Sequence, residues 1–130
     1  MAKITKVIGR QVFDSRGNPT VEAEVFCKNI SASAICPSGA STGSFEAYEM
    51  RDKKNKKYLG KSVLKSVKSI NTIISKKLKN QNLHNQEKVD YILINLDGTK
   101  QKKKYGANTI LAVSMAVKKL SAKIKKSTIV

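Results

Sequence analysis

The apolar residues of this chain change their period once, and that single change constrains the architecture more than any other feature. Up to residue 36 they alternate with polar residues, as in a strand. From residue 63 onward they recur every three or four residues, as in a helix. Strands first and helices afterwards predict an α+β arrangement in which helices cover one face of a sheet.

Ile4, Lys6, Ile8, Arg10 and Val12 are expected to share one face of a first strand, with Thr5, Val7, Gly9, Gln11 and Phe13 on the other. The string Asp14-Ser15-Arg16-Gly17-Asn18-Pro19 is dense in turn formers and ends it. Val21, Ala23, Val25 and Cys27 then alternate with Glu22, Glu24 and Phe26, and Lys28-Asn29 leads into a third short strand over 30–36. Short turns between three such runs predict an antiparallel meander over about 3–36. Residues 37–43 are small and turn-forming, and read as a loop; residues 44–60 are polar and irregular. Helices are expected over about 61–125, on three apolar stripes. The stripes are Val63, Val67, Ile70, Ile74, Leu78; Val89, Ile92, Leu93, Leu96; and Ile110, Val113, Val117, Leu120, Ile124. Gly98 stands where a C-terminal helix cap belongs. The expectation is one domain, 1–130: a three-stranded antiparallel meander followed by three helices packed on one face.

Length limits what else is possible. A chain of 130 residues has no room for a (β/α)₈ barrel, which takes about 250. No apolar run approaches the roughly 20 residues that span a bilayer, so no membrane role is expected. The start of the chain alternates and has no continuous apolar core of the signal-peptide kind, which points to the cytoplasm.

The formal charge of +17 has two readings. One is an electrostatic surface for nucleic acid or another polyanion. The other is lysine-rich composition on solvated helix faces, as at Lys61, Lys65, Lys68, Lys76 and Lys79, with arginine only at positions 10, 16 and 51. Few aromatic residues are interleaved to stack on bases, so only non-specific nucleic-acid binding at low salt is expected. Cys27 and Cys36 lack metal-ligand spacing and are expected as reduced thiols. His84 is the sole histidine and is expected as an ordinary surface or cap residue.

The string Pro37-Ser38-Gly39-Ala40-Ser41-Thr42-Gly43 carries the most chemistry. Two glycines permit unusual backbone angles and close approach, and three hydroxyls stand beside them. Backbone amides and hydroxyls presented together suit an anion or a hard, oxygen-seeking cation, and a plain surface loop is the alternative. The Gly-Lys-Ser/Thr ending of a nucleotide phosphate loop is missing.

Several strings, in order and over essentially the whole chain, resemble the enolase family. They are Phe13-Asp14-Ser15-Arg16-Gly17-Asn18-Pro19-Thr20-Val21-Glu22; the 37–43 string with Glu46-Ala47; Tyr58-Leu59-Gly60-Lys61 with Val63; Asn95-Leu96-Asp97-Gly98-Thr99; and Gly106-Ala107-Asn108 with Ile110-Leu111-Ala112-Val113-Ser114. The resemblance implies the N-terminal domain of a Mg²⁺-dependent lyase that interconverts 2-phosphoglycerate and phosphoenolpyruvate, with two Mg²⁺ per active site. It implies that residues 37–43 (Ser38, Gly39, Ala40, Ser41, Thr42, Gly43) form a substrate-covering loop whose Ser41 is a ligand of the second Mg²⁺. It also implies a homodimer or larger homo-oligomer in which Arg10 and Glu22 form ion pairs with a partner; the plain alternative for each is an exposed strand residue.

The base, the acid and the other metal ligands of such an enzyme belong to a barrel that these residues do not contain. The chain alone is therefore expected to lack activity. A non-catalytic remnant, or a basic RNA- or polyanion-binding module on the same fold, is the alternative function.

Overall fold

A computed structural model of the chain describes residues 2–36, 63–98 and 104–128. The sequence-predicted loop over 37–43 and the irregular stretch over 44–60 lie outside the described residues.

The meander is present in the predicted order. Strands β1 (Lys6–Phe13), β2 (Pro19–Cys27) and β3 (Ile30–Ile35) form one antiparallel sheet with β2 in the middle. The β1–β2 turn is built by Asp14, whose Oδ1 accepts from the backbone amides of Arg16 and Asn18, each at 2.9 Å. Gly17 takes φ 79° there, a backbone region costly for any residue with a Cβ. Lys28-Asn29 closes the second hairpin, with Cys27 opposite Ile30.

Three helical rods follow. The first runs end to end through α1 (Leu64–Ser69), a π-helical turn (Ile70–Ile74) and α2 (Ser75–Leu78). The second is α3 (Gln86–Asp97) and the third is α4 (Ala107–Thr128). The first rod lies on β1, α4 lies on β2 and β3, and α3 packs against α4 and α2. The core between sheet and helices includes Val7, Val21, Ala23, Val25 and Ala34 facing Ile70, Ile74, Val113, Val117 and Leu120, all essentially without solvent contact. Burying a Val, Leu or Ile side chain of this kind contributes about 1.5–3 kcal/mol.

The π turn has a sequence cause. The buried positions of the first rod are Ser66, Ile70, Ile74 and Leu78, four residues apart each time. An α-helix advances 3.6 residues per turn, so such a stripe would drift by about 40° at every step. A turn closed by i→i+5 bonds holds one more residue and brings the stripe back toward the core. Ser66 thus takes the inner position expected for Val67, which is half-buried.

The first strand differs from expectation in one respect. Ile4 does not share the outer face with Ile8; it is fully buried, while Thr5 and Lys6 are both exposed. The alternation slips there because Ile4 pairs with the end of the first rod. Its amide donates to the Gln81 carbonyl at 2.9 Å, and the Asn80 amide donates to the Ile4 carbonyl at 2.8 Å.

The caps follow local chemistry. Asn85 Oδ1 accepts from the Lys88 amide at the start of α3, and Gly98, at φ 70°, closes its end with a bond from its amide to the Ile94 carbonyl at 3.0 Å. The buried Asp97 carboxylate accepts from the Tyr105 amide at 2.8 Å, which ties the end of α3 to the approach to α4.

Candidate functional site

The end of the sheet that carries the β1–β2 turn is also where the chain departs toward residue 37 and returns at residue 63. Cys36, just past β3, donates its amide to the Val21 carbonyl at 2.9 Å. Its own carbonyl accepts from the Thr20 hydroxyl at 2.5 Å, and Thr20 is buried. Val63, at the N-terminus of α1, donates its amide to Gln11 Oε1 at 2.9 Å. Gln11 stands opposite Val21, and Val12 stands opposite Thr20. Both ends of the intervening stretch are thereby fastened to adjacent register positions of β1 and β2.

The sheet face away from the rods carries a charge cluster. Arg10 and Glu22 are opposite each other in the register. The Arg10 guanidinium donates to Glu22 Oε1 at 3.2 Å and to Glu24 Oε1 at 2.7 Å, and the Ser31 hydroxyl donates to Glu24 Oε2 at 2.7 Å. The Arg10 pKa is raised, first by its bond to Glu24, while the Glu24 carboxyl sits below the usual carboxylate range, first because of Ser31 and then Arg10. Half-buried Ile8, Val12 and Phe26, with exposed Ile35, share this face with the cluster.

Of the residues singled out in the sequence, Arg10 and Glu22 are brought into direct contact. Ser38, Gly39, Ala40, Ser41, Thr42 and Gly43 all lie outside the described residues. His84 occupies the turn before α3, its Nδ1 at 2.6 Å from the Ser121 hydroxyl of α4. Cys27 and Cys36 are both thiols, half-buried and buried respectively. Among the described residues, no group of three His, Cys, Asp or Glu side chains is placed to hold a metal ion. No described helix is long and apolar enough to cross a membrane.

Sequence reasoning missed Glu24, Ser31, Gln11 and Thr20. Glu24 had a signal, since it lies two residues from Glu22 on the same strand face. The others depend on strand register, which the sequence alone does not print. A second polar cluster was also missed: Gln86 Nε2 and the Ser114 hydroxyl both donate to Asp90 Oδ1, at 2.9 and 2.6 Å, linking α3 to α4.

A three-stranded meander covered on one face by helical rods, with a long connection rooted at one sheet end, defines an α+β domain. The chain belongs to the enolase family, with residues 4–130 matching the family described as "Enolase, N-terminal domain". It is 70% identical over 125 residues to "Enolase" of Pelagibacter ubique (strain HTCC1062). That match covers 96% of this chain and 30% of the relative, so the chain spans about a third of the relative's length.

Proposed function

We propose that residues 1–130 form a single domain, the N-terminal domain of an enolase, which serves the reversible dehydration of 2-phosphoglycerate to phosphoenolpyruvate in glycolysis and gluconeogenesis. The observation that carries this reading is the family match over residues 4–130, supported by 70% identity to a relative named enolase. On this reading the stretch 37–43 meets substrate from above the barrel of the same polypeptide, and Ser41 supplies oxygen to the second of two Mg²⁺ ions. Magnesium would hold the charge that develops when the weakly acidic α-proton leaves. The described residues take no part in that proton transfer; they supply the platform from which the loop departs.

The uncovered sheet face, with Arg10 and Glu22 at its centre, is on the same reading the contact with the barrel of a second subunit in a homodimer or larger assembly. The enzyme acts in the cytoplasm, and 130 residues alone turn nothing over, because an octahedral magnesium site needs more oxygen ligands than one loop offers. The exposed lysines support weak, salt-sensitive contact with polyanions and nothing sequence-specific.

The experiment is an assay of magnesium-dependent phosphoenolpyruvate formation by the polypeptide with its barrel, beside Ser41→Ala and beside residues 1–130 alone. The expected result is turnover by the parent, a loss on the order of 10- to 100-fold for Ser41→Ala, and none for the short chain. Full turnover by Ser41→Ala would remove the serine from the metal, and turnover by the short chain would overturn the requirement for a barrel.

A further inference from the structure

The two edges of the sheet are finished differently. Beside β2, the Cys36 amide donates to the Val21 carbonyl. Ladder groups alternate along an antiparallel strand, so Ala34 and Ala32 face β2 as Cys36 does, and Ser31, Ser33 and Ile35 turn their amides and carbonyls to the open edge. On β1 the outward groups meet side chains of the first rod: Asn71 bonds the amide and the carbonyl of Gly9, and the Ser75 hydroxyl oxygen accepts the Val7 amide. On β3 the Ser31 carbonyl accepts from Lys123 Nζ of α4 at 2.8 Å. No other outward backbone group of Ser31, Ser33 or Ile35 has a hydrogen-bond partner among the described residues. Ser33 and Ile35 are exposed. The strand itself, Ile30-Ser31-Ala32-Ser33-Ala34-Ile35, holds no charge and no proline, the devices that usually keep an edge from pairing.

We propose that the β3 edge is a self-pairing surface held closed by Lys123, and that the partner it fits is the β3 edge of a second copy of this chain. Antiparallel pairing centred on Ser33 sets Ser33 opposite Ser33 of the second copy, and Ser31 opposite Ile35 in both directions. Each outward amide then meets an outward carbonyl, as a two-fold contact requires. Serine and alanine over most of the strand put neither bulk nor like charge opposite one another. The two-fold axis stands perpendicular to the sheet, so α4, which lies on β2 and β3, stays on the same face in both copies. Lys123 is the obstacle, because it occupies an acceptor that the pairing needs once in each copy. The pairing does not depend on the enolase reading.

The test is sedimentation velocity of the whole polypeptide over a range of concentrations. Lys123→Ala removes the donor, Lys123→Arg keeps one, and Lys119→Ala removes another exposed lysine of α4. The expected result is self-association about tenfold tighter in Lys123→Ala than in the parent, with Lys123→Arg and Lys119→Ala within about twofold of it. Ser33→Lys, at an exposed position, sets like charges opposite each other across the two-fold and should abolish the gain in the Lys123→Ala background. Hydrogen exchange gives a second readout: the Ser33 amide should exchange about tenfold more slowly in concentrated Lys123→Ala than in the parent, with the Val25 amide unchanged. Parent-like association of Lys123→Ala overturns the inference. Equal tightening in Lys119→Ala also overturns it, because lost charge alone would then be the cause. Tightening that survives Ser33→Lys with a fast Ser33 amide does the same, because the copies would then meet through another surface.

Discussion

Asn71 pairs with both backbone polar groups of Gly9. Its Oδ1 accepts the Gly9 amide at 2.8 Å, and its Nδ2 donates to the Gly9 carbonyl at 3.1 Å. Four residues on, the Ser75 hydroxyl oxygen accepts the Val7 amide at 3.2 Å. The outer edge of β1, which a lone sheet would present to any passing strand, is thus occupied by side chains of the first rod. Asn71 belongs to the π turn, so the same turn that aligns Ile70 and Ile74 with the core also aims an amide at the strand edge.

Asn71→Ala should leave the Gly9 amide and carbonyl without this partner. The expected loss is about 1–2 kcal/mol, at the lower part of the range for an orphaned backbone group because Asn71 borders solvent. Urea unfolding monitored by circular dichroism measures it. Unchanged stability would mean that water replaces the amide at no cost.

Gly9→Ala tests the approach of strand to helix. A Cβ on Gly9 would stand 2.8 Å from Ile70 Cβ and 3.0 Å from Ile70 Cγ2, closer than real carbon contacts allow. The strand or the rod must shift, and overpacking of this kind costs about 1–3 kcal/mol. The expected outcome is a lower urea midpoint with little change in the slope of the transition.

The Ser31–Glu24–Arg10 chain predicts a pH response. The folded Glu24 carboxyl titrates below its unfolded value, so its contribution is present above the ordinary glutamate pKa near 4.3 and is lost as pH falls through the folded pKa. The cluster is partly exposed, which keeps that contribution under about 1 kcal/mol. Ser31→Ala removes the hydroxyl bond that does most to stabilise the Glu24 carboxylate and should raise the Glu24 pKa, read from its carboxyl carbon in an NMR titration. A pKa that stays put would assign the shift to Arg10.

Asn85→Ala removes the side chain that accepts the Lys88 amide at the start of α3. The expected destabilisation is about 1 kcal/mol. Asn85→Asp should retain the cap and gain slightly from the positive helix terminus. Thermal unfolding of the three proteins side by side decides the order.

Much of the fold was legible from residues alone. The Asp14–Pro19 turn, the Gly98 cap and the second and third helical stripes follow from chemistry within a few residues of each position, and the structure repeats them, whereas the first stripe puts Ser66 inward in place of Val67. The candidate site was legible only in part. Arg10 and Glu22 were singled out, but their shared contacts with Glu24 and Ser31 run across strands, and periodicity does not encode which residues face each other across a sheet.

What the sequence determined by itself is where strands, turns and helices fall, because period, turn chemistry and capping act locally. What the tertiary structure decided is which face of β1 goes inward. By composition Ile8 and Val12 are the more apolar pair, yet Val7 and Gly9 are buried and Ile8 and Val12 stay half-exposed. Burial is a property of the partner as well as the residue. Gly9 admits Ile70 at close range and offers its backbone to Asn71, and neither advantage exists until the first rod has packed against the strand.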